Sequence, residues 1–304
     1  MNDVTREAAP TRVVDVATPD GHRAQLAIHG DGKGPGLLWL PARGVAASKY
    51  RFFAAALAAR GVTVALHDWR GTGTSSARAS RANDWGYRTL LDDIDATRAA
   101  LRSACGSGVS RDCATHEEPA AKSWTIGGHS LGAQLAALAI ADAPGTYDRL
   151  AIVAGGIPDY RAYHGPTRLK VVTGLVFFRA LSAACGYFPG PRIGFGGNES
   201  RTVMREWSRS GLTGRYVLEG AGDYDVKLAS LNPSVFALHL SRDWLAPAPV
   251  VDALLAKLPN ASVERHALDG SAFTGVKPDH FGWLREPAPV ADRLAAFVGR
   301  TPPS

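Results

Sequence analysis

Trp124-Thr125-Ile126-Gly127-Gly128-His129-Ser130-Leu131-Gly132-Ala133-Gln134-Leu135-Ala136-Ala137-Leu138 is the stretch whose reading decides the fold. Its first four residues read as a short buried strand ending in glycines, and Leu131–Ala141 reads as a helix. Between them, Gly128-His129-Ser130-Leu131-Gly132 matches G-x-S-x-G, a strained strand-to-helix turn that lifts a serine hydroxyl above the carboxyl edge of a sheet. In a chain with 33 Gly the bare string is expected by chance about 0.2 times, so the flanks carry the argument. Glycine at 128 and 132 lets the chain bend and the helix pack close to the strand, where a Cβ would obstruct. The plain alternative is a buried Gly/Ser turn without chemistry.

Working outward, a strand-then-helix rhythm recurs. Leu37–Leu40 is an apolar run, followed by an Ala-rich helix Tyr50–Arg60 that Gly61 can terminate. Val62–Leu66 is a second strand, and Asp84 is placed to cap a helix carrying Leu90, Leu91, Ile94 and Leu101 at helical spacing. The polar segment 105–121 reads as a surface loop, and Leu150–Ala154 as another strand. From about Ile157 to Asn232 the rhythm breaks into two helices, near Arg168–Ala184 and Ser200–Arg209, around a Gly/Pro-rich turn at Gly186–Gly197. It resumes with strand Val235–Leu240, helix Pro249–Lys257, strand Val263–Leu268 and helix Val290–Val298. Alternation of this kind predicts an α/β fold with a mostly parallel sheet and helices on both faces. The expected division is a core of 1–156 and 233–304, split by an inserted, mainly helical cap at 157–232.

A serine hydroxyl needs a base, and the base an orienting carboxylate. Asp243 follows a strand, in Ser241-Arg242-Asp243-Trp244-Leu245-Ala246-Pro247, ahead of the next helix. Asp159, after Leu150–Ala154, is the fallback acid. His280, in Lys277-Pro278-Asp279-His280-Phe281-Gly282, is the histidine lying between the last strand and the last helix. His266 and His239 read as strand histidines, and His129 as packing beneath the elbow. The oxyanion donors expected are the backbone N–H groups of Leu131 and of Arg43 in Leu40-Pro41-Ala42-Arg43-Gly44, with Ala42 as the alternative, since Pro41 has no N–H. The Arg43 guanidinium is expected either to turn inward toward a substrate carboxylate or outward into solvent. Ala42, Tyr160, Tyr187, Phe188 and Trp244 are candidate substrate contacts. Tyr163, Phe177, Phe178 and Trp207 are further aromatics of a pocket or of the cap's own core. Gly71-Thr72-Gly73-Thr74-Ser75-Ser76 begins like a dinucleotide fingerprint but lacks the third glycine and a prompt helix, and reads as a loop near the site.

The composition narrows the function classes. With 304 residues, 45% hydrophobic and 20% charged, the chain has the profile of a globular protein with a sizeable core. Lys+Arg 34 against Asp+Glu 28 gives a net charge of +6, but the basic residues are interspersed with acidic ones, which argues against nucleic-acid binding. Three cysteines, Cys105, Cys113 and Cys185, form no close pair, so neither a disulfide framework nor a zinc site is expected, and the chemistry needs no cofactor. The first ten residues carry acids and no apolar run, so no secretory signal is read there. The apolar segments near 134–141 and 171–185 are too short or interrupted to span a bilayer, and a cytoplasmic location is expected. The partner expected is a small acyl substrate; the oligomeric state, a dimer included, stays open.

Together these residues resemble the α/β-hydrolase superfamily over nearly the whole chain. The likeness is greatest to uncharacterised hydrolases near its serine aminopeptidase-like and lysophospholipase-like branch. Beyond the elbow it rests on Pro41-Ala42-Arg43-Gly44-Val45, Asp68-Trp69-Arg70-Gly71-Thr72-Gly73, Asp84-Trp85-Gly86, Gly186-Tyr187-Phe188-Pro189-Gly190 and His280-Phe281-Gly282. The resemblance implies an eight-stranded sheet, a cap, and Ser130, Asp243 and His280 as a triad cleaving a carboxylic ester or thioester. That branch would have an apolar residue in place of Arg43. Acyl transfer through the same acyl-enzyme, or a cyclase, lyase or binding protein on this fold, are the alternatives.

Overall fold

The computed structural model describes residues 8–106, 124–147, 149–218 and 220–300. Its centre is an eight-stranded sheet: β1 (Arg12–Ala17), β2 (Arg23–His29), β3 (Gly36–Leu40), β4 (Thr63–His67), β5 (Trp124–His129), β6 (Arg149–Val153), β7 (Ser234–Leu240) and β8 (Ser262–Leu268), in the order β1-β2-β4-β3-β5-β6-β7-β8. β2 runs antiparallel to both its neighbours. From β4 to β8 every pairing is parallel, so the carboxyl ends of these strands share one edge. Parallel strands are buried on both faces and so read as continuous apolar runs.

Alternate side chains then serve two cores. Leu38 and Leu40 of β3, and Leu150 and Ile152 of β6, pack on one face. Leu37, Trp39, Ala151 and Val153 pack on the other. The first face is covered by α2 (Tyr87–Gly106), α3 (Leu131–Asp142) and α7 (Ala248–Leu255), the second by α1 (Arg51–Ala58) and α8 (Ala288–Val298). α1 ends at Gly61, whose φ is +79° and whose N–H bonds Ala58 O. α3 is almost wholly buried behind β5, which explains its apolar character on all sides.

Between β6 and β7 lie α4 (Gly165–Cys185), α5 (Arg201–Thr213) and α6 (Tyr224–Ala229), with a hairpin pairing Tyr187–Pro189 with Asn198–Ser200. The polar stretch beginning at Cys105 differs from the loop expected: α2 continues through Gly106, and the rest of that segment, Cys113 included, lies outside the described residues. Asp84 does not cap α2. Its carboxylate accepts the N–H and hydroxyl of Thr202 at 2.9 and 2.7 Å and pairs with Arg201, tying the approach to α2 onto the first turn of α5. Among the described residues no helix is long and apolar enough to cross a membrane.

Candidate active site

Ser130 stands between the last residue of β5 and the first of α3 with φ 58° and ψ −125°, a strained conformation for a residue with a Cβ. Two glycines permit it. A Cβ on Gly128 would lie 2.4 Å from Gly132 C, and one on Gly132 would lie 2.2 Å from Leu40 O. The elbow is therefore pressed against its own helix and the end of β3.

Three loops at the same sheet edge converge on the hydroxyl. His280 Nε2 lies 2.9 Å from Ser130 Oγ, and His280 Nδ1 lies 2.7 Å from Asp243 Oδ2. The other Asp243 oxygen accepts the N–H groups of Leu245 and Ala246 at 2.9 Å each, which fixes the carboxylate plane. Asp243 and His280 are 4% and 6% exposed, so their interaction is shielded from water. Asp279 faces away and shapes the loop by accepting Phe281 N and Gly282 N. Asp159, the fallback acid, pairs with Arg161 instead.

The loop after β3 is held from two sides. Trp69 Nε1 donates to Pro41 O at 2.7 Å, and Ala42 N–H donates to Tyr50 Oη at 2.9 Å. Tyr50 Oη also lies 2.7 Å from His129 Nδ1. Having accepted from Ala42, the phenol directs its own proton to that nitrogen. His129 is fully buried, which pushes its pKa well below the usual histidine range, as does the nearby His280. It is therefore a neutral spacer, its ring 4.8 Å from that of His280.

With the Ala42 N–H engaged, the Arg43 N–H makes no intramolecular hydrogen bond among the described residues. Leu131, at the first position of α3, has an N–H with no intrahelical acceptor. Neither sequence alternative for the Arg43 side chain matches its placement: it is out of solvent, and a carboxylate of the chain itself, Glu199, already pairs with it, Nη1 alone lacking a hydrogen-bond partner among the described residues. Its Nε donates to Glu199 Oε2 at 2.7 Å, its Nη2 donates to Glu199 Oε1, and it lies over the Trp69 ring. Glu199 belongs to the hairpin between α4 and α5, and the sequence reading missed it.

A cavity of about 780 Å³ opens from Ser130 and His280. Ala42, Phe188 and Trp244 line it, as do Tyr163, Phe177, Phe178 and Trp207. Tyr160 and Tyr187 do not: Tyr160 lies beneath Arg168, and Tyr187 sits in the hairpin opposite Ser200. Phe195, in the glycine-rich turn, packs its ring 4.6 Å from that of Phe178 and joins the lining. The Gly71-Thr72-Gly73 loop borders a separate space of about 310 Å³ beside Gly44. Asp68 holds it by accepting the N–H and hydroxyl of Thr74, both at 2.9 Å. Among the described residues no His, Cys, Asp or Glu cluster could hold a metal ion.

Residues 39–181 match the family described as serine aminopeptidase, S33. No curated protein sequence matches the chain. Among solved structures, a hydrolase from Pseudomonas aeruginosa is similar at 17% identity and TM-score 0.58, covering 95% of this chain and 99% of its own. A carboxylesterase of the ammonia-oxidizing thaumarchaeon Nitrososphaera gargenis is similar at 17% identity and TM-score 0.58, with 93% and 97% covered. An esterase from a Rhodococcus species is similar at 17% identity and TM-score 0.55, with 94% and 98% covered. Identities this low speak for a common fold. The family match spans the elbow and the structural likeness covers 93–95% of the chain, and on both grounds the chain has the α/β-hydrolase fold.

Proposed function

We propose that this chain is a serine hydrolase that cleaves a carboxylic ester or thioester through an acyl-enzyme. One observation carries the reading: the continuous contact from Ser130 Oγ to His280 Nε2 at 2.9 Å and from His280 Nδ1 to Asp243 Oδ2 at 2.7 Å, at the floor of a largely apolar cavity.

In this reading Ser130 Oγ attacks the substrate carbonyl carbon as its proton passes to His280 Nε2. Asp243 stabilises the resulting imidazolium and keeps the Nδ1–H directed at itself. The N–H groups of Arg43 and Leu131 receive the developing oxyanion, each worth on the order of 10²–10³ in rate. The bond from the acyl carbon to the leaving oxygen or sulfur then breaks, and His280 returns the proton to the leaving group. Water, deprotonated by the same imidazole, releases the acid and regenerates Ser130. Residues 157–232 act in this proposal as a cap: α4, α5 and the hairpin supply most of the apolar wall that would hold the acyl chain.

The test is turnover of p-nitrophenyl esters of several chain lengths by the wild type and by Ser130→Ala. A loss of at least about 10³-fold with an unchanged unfolding temperature is expected. Undiminished turnover would remove the mechanism.

A further inference from the structure

We infer that the outer face of α4, together with the rim of the cavity, docks onto the surface of an anionic phospholipid bilayer. Among the described residues, eight large hydrophobic side chains are exposed, and six of them cluster here. Leu169 (67% exposed), Val176 (53%) and Phe177 (52%) project from α4, while Ile193, Trp244 and Phe281 stand at the cavity rim. Monomeric surfaces scatter such residues singly, and a cluster beside a pocket marks an interaction site. Leu169, Val172, Val176 and Ala180 recur at spacings of three and four and so form one stripe along the helix. Leu175 and Ser182, on the opposite side, are buried.

Charge selects the occupant. The 21 residues of α4 contain Arg168, Lys170 and Arg179 and no acid. On a helical projection Arg168 and Arg179 border the apolar stripe on one side and Lys170 on the other. Nearby acids are already engaged: Asp159 with Arg161, Glu199 with Arg43 and Asp243 with His280. Lys170 Nζ lies 3.8 Å from the centre of the Trp244 ring, and Arg168 lies over Tyr160, so these cations rest on aromatic rings and have no carboxylate partner among the described residues. An apolar stripe flanked by cations and aromatics is the signature of a helix lying in a lipid interface. A second copy of the chain would set three cations against three across a two-fold axis, with no anion between them. Phe177 belongs both to the exposed face and to the cavity lining, so a docked bilayer would lie against the cavity mouth.

This inference rests on the proposed hydrolase reading only for its purpose, the capture of a lipid-borne acyl chain; binding itself needs no catalysis. The test therefore uses the full chain carrying Ser130→Ala, sedimented with vesicles of phosphatidylcholine alone or mixed with phosphatidylglycerol. Binding is expected on the mixed vesicles, weakened by salt. Arg168→Gln with Arg179→Gln should reduce it by about five-fold per cation removed. Leu169→Gln with Val176→Gln, two positions outside the cavity lining, should reduce it at least about ten-fold. The same pairs placed in the Ser130 protein should hydrolyse p-nitrophenyl acetate at the parental rate, so a folding defect would register there. No sedimentation with either vesicle, equal binding by all variants, or a dimer of the parent that Leu169→Gln with Val176→Gln converts to monomer would overturn the inference. Failure of the parental protein to hydrolyse p-nitrophenyl acetate would instead count against the hydrolase reading alone.

Discussion

The Arg43 guanidinium and the Glu199 carboxylate retain only 7% and 6% of their side-chain exposure, and they meet across 156 positions of sequence. That separation is why the pair escaped the sequence reading. Nothing near Gly197-Asn198-Glu199-Ser200 announces a partner in the loop after β3, and an isolated arginine reads as a surface charge or a substrate ligand. Ser130, Asp243 and His280 could be picked out in the sequence because each lies in the connection between a strand and the helix that follows it, and their chain order limits the choices to few. In the proposed mechanism Arg43 contributes only its N–H, so the two halves of the residue can be separated. Glu199→Gln leaves a buried cation unpaired and should cost about 3–5 kcal/mol of stability, or about 5–15 °C in unfolding temperature. Arg43→Met keeps the backbone donor and should hold kcat within about ten-fold, and adding it to Glu199→Gln should recover most of the lost stability. Arg43→Met protein that is folded yet as inactive as Ser130→Ala would put the guanidinium itself into the chemistry.

Strands β3, β5, β6 and β7 were legible as elements because burial on both faces leaves a mostly apolar run. β1 and β2 were not picked out individually: β1 is mostly exposed, β2 alternates exposed and buried residues, and both carry charges. α6, six residues long, is too short to show a period. An element-scale regularity also emerges, since β2, β4 and β5 each end on a buried histidine, His29, His67 and His129. Burial lowers the pKa of His29 and His67 to about 4, and that of His129 well below the usual range. All three are neutral when folded and take up protons on unfolding below about pH 6.5. The unfolded state then binds more protons, so stability is full above pH 6.5 and falls as the pH drops toward 4, by up to about 1.4 kcal/mol per pH unit for each histidine. Denaturant titrations at a series of pH values should show this slope, shallower in His67→Gln. A flat profile from pH 6.5 to 4.5 would mean that these histidines are not neutral in the fold.

At the scale of the molecule, the parallel half of the sheet brings the loops after β3, β5, β7 and β8 to one edge, and residues up to 150 positions apart meet there. The rhythm of strands and helices implied such an edge. Strand order was not readable from periodicity, because adjacency such as β4 beside β2 depends on pairings between distant segments; the family resemblance implied the number of strands and not their order. The lining of the cavity was half legible for the same reason. Aromatic residues between β6 and β7 were visible in sequence, but whether each faces the cavity, as Phe188 does, or packs elsewhere, as Tyr160 does, is set by how α4 and the hairpin lie over the site. The central claim is that Ser130 becomes a covalent nucleophile when His280 takes its proton. Intact-mass measurement after brief incubation with activated esters, with the modified peptide located by fragmentation, tests it most directly. The account predicts a single acyl adduct on Ser130 in the wild type and none in Ser130→Ala or, over the same time, in His280→Ala; an adduct on another residue, or the same adduct formed as fast without His280, would contradict it.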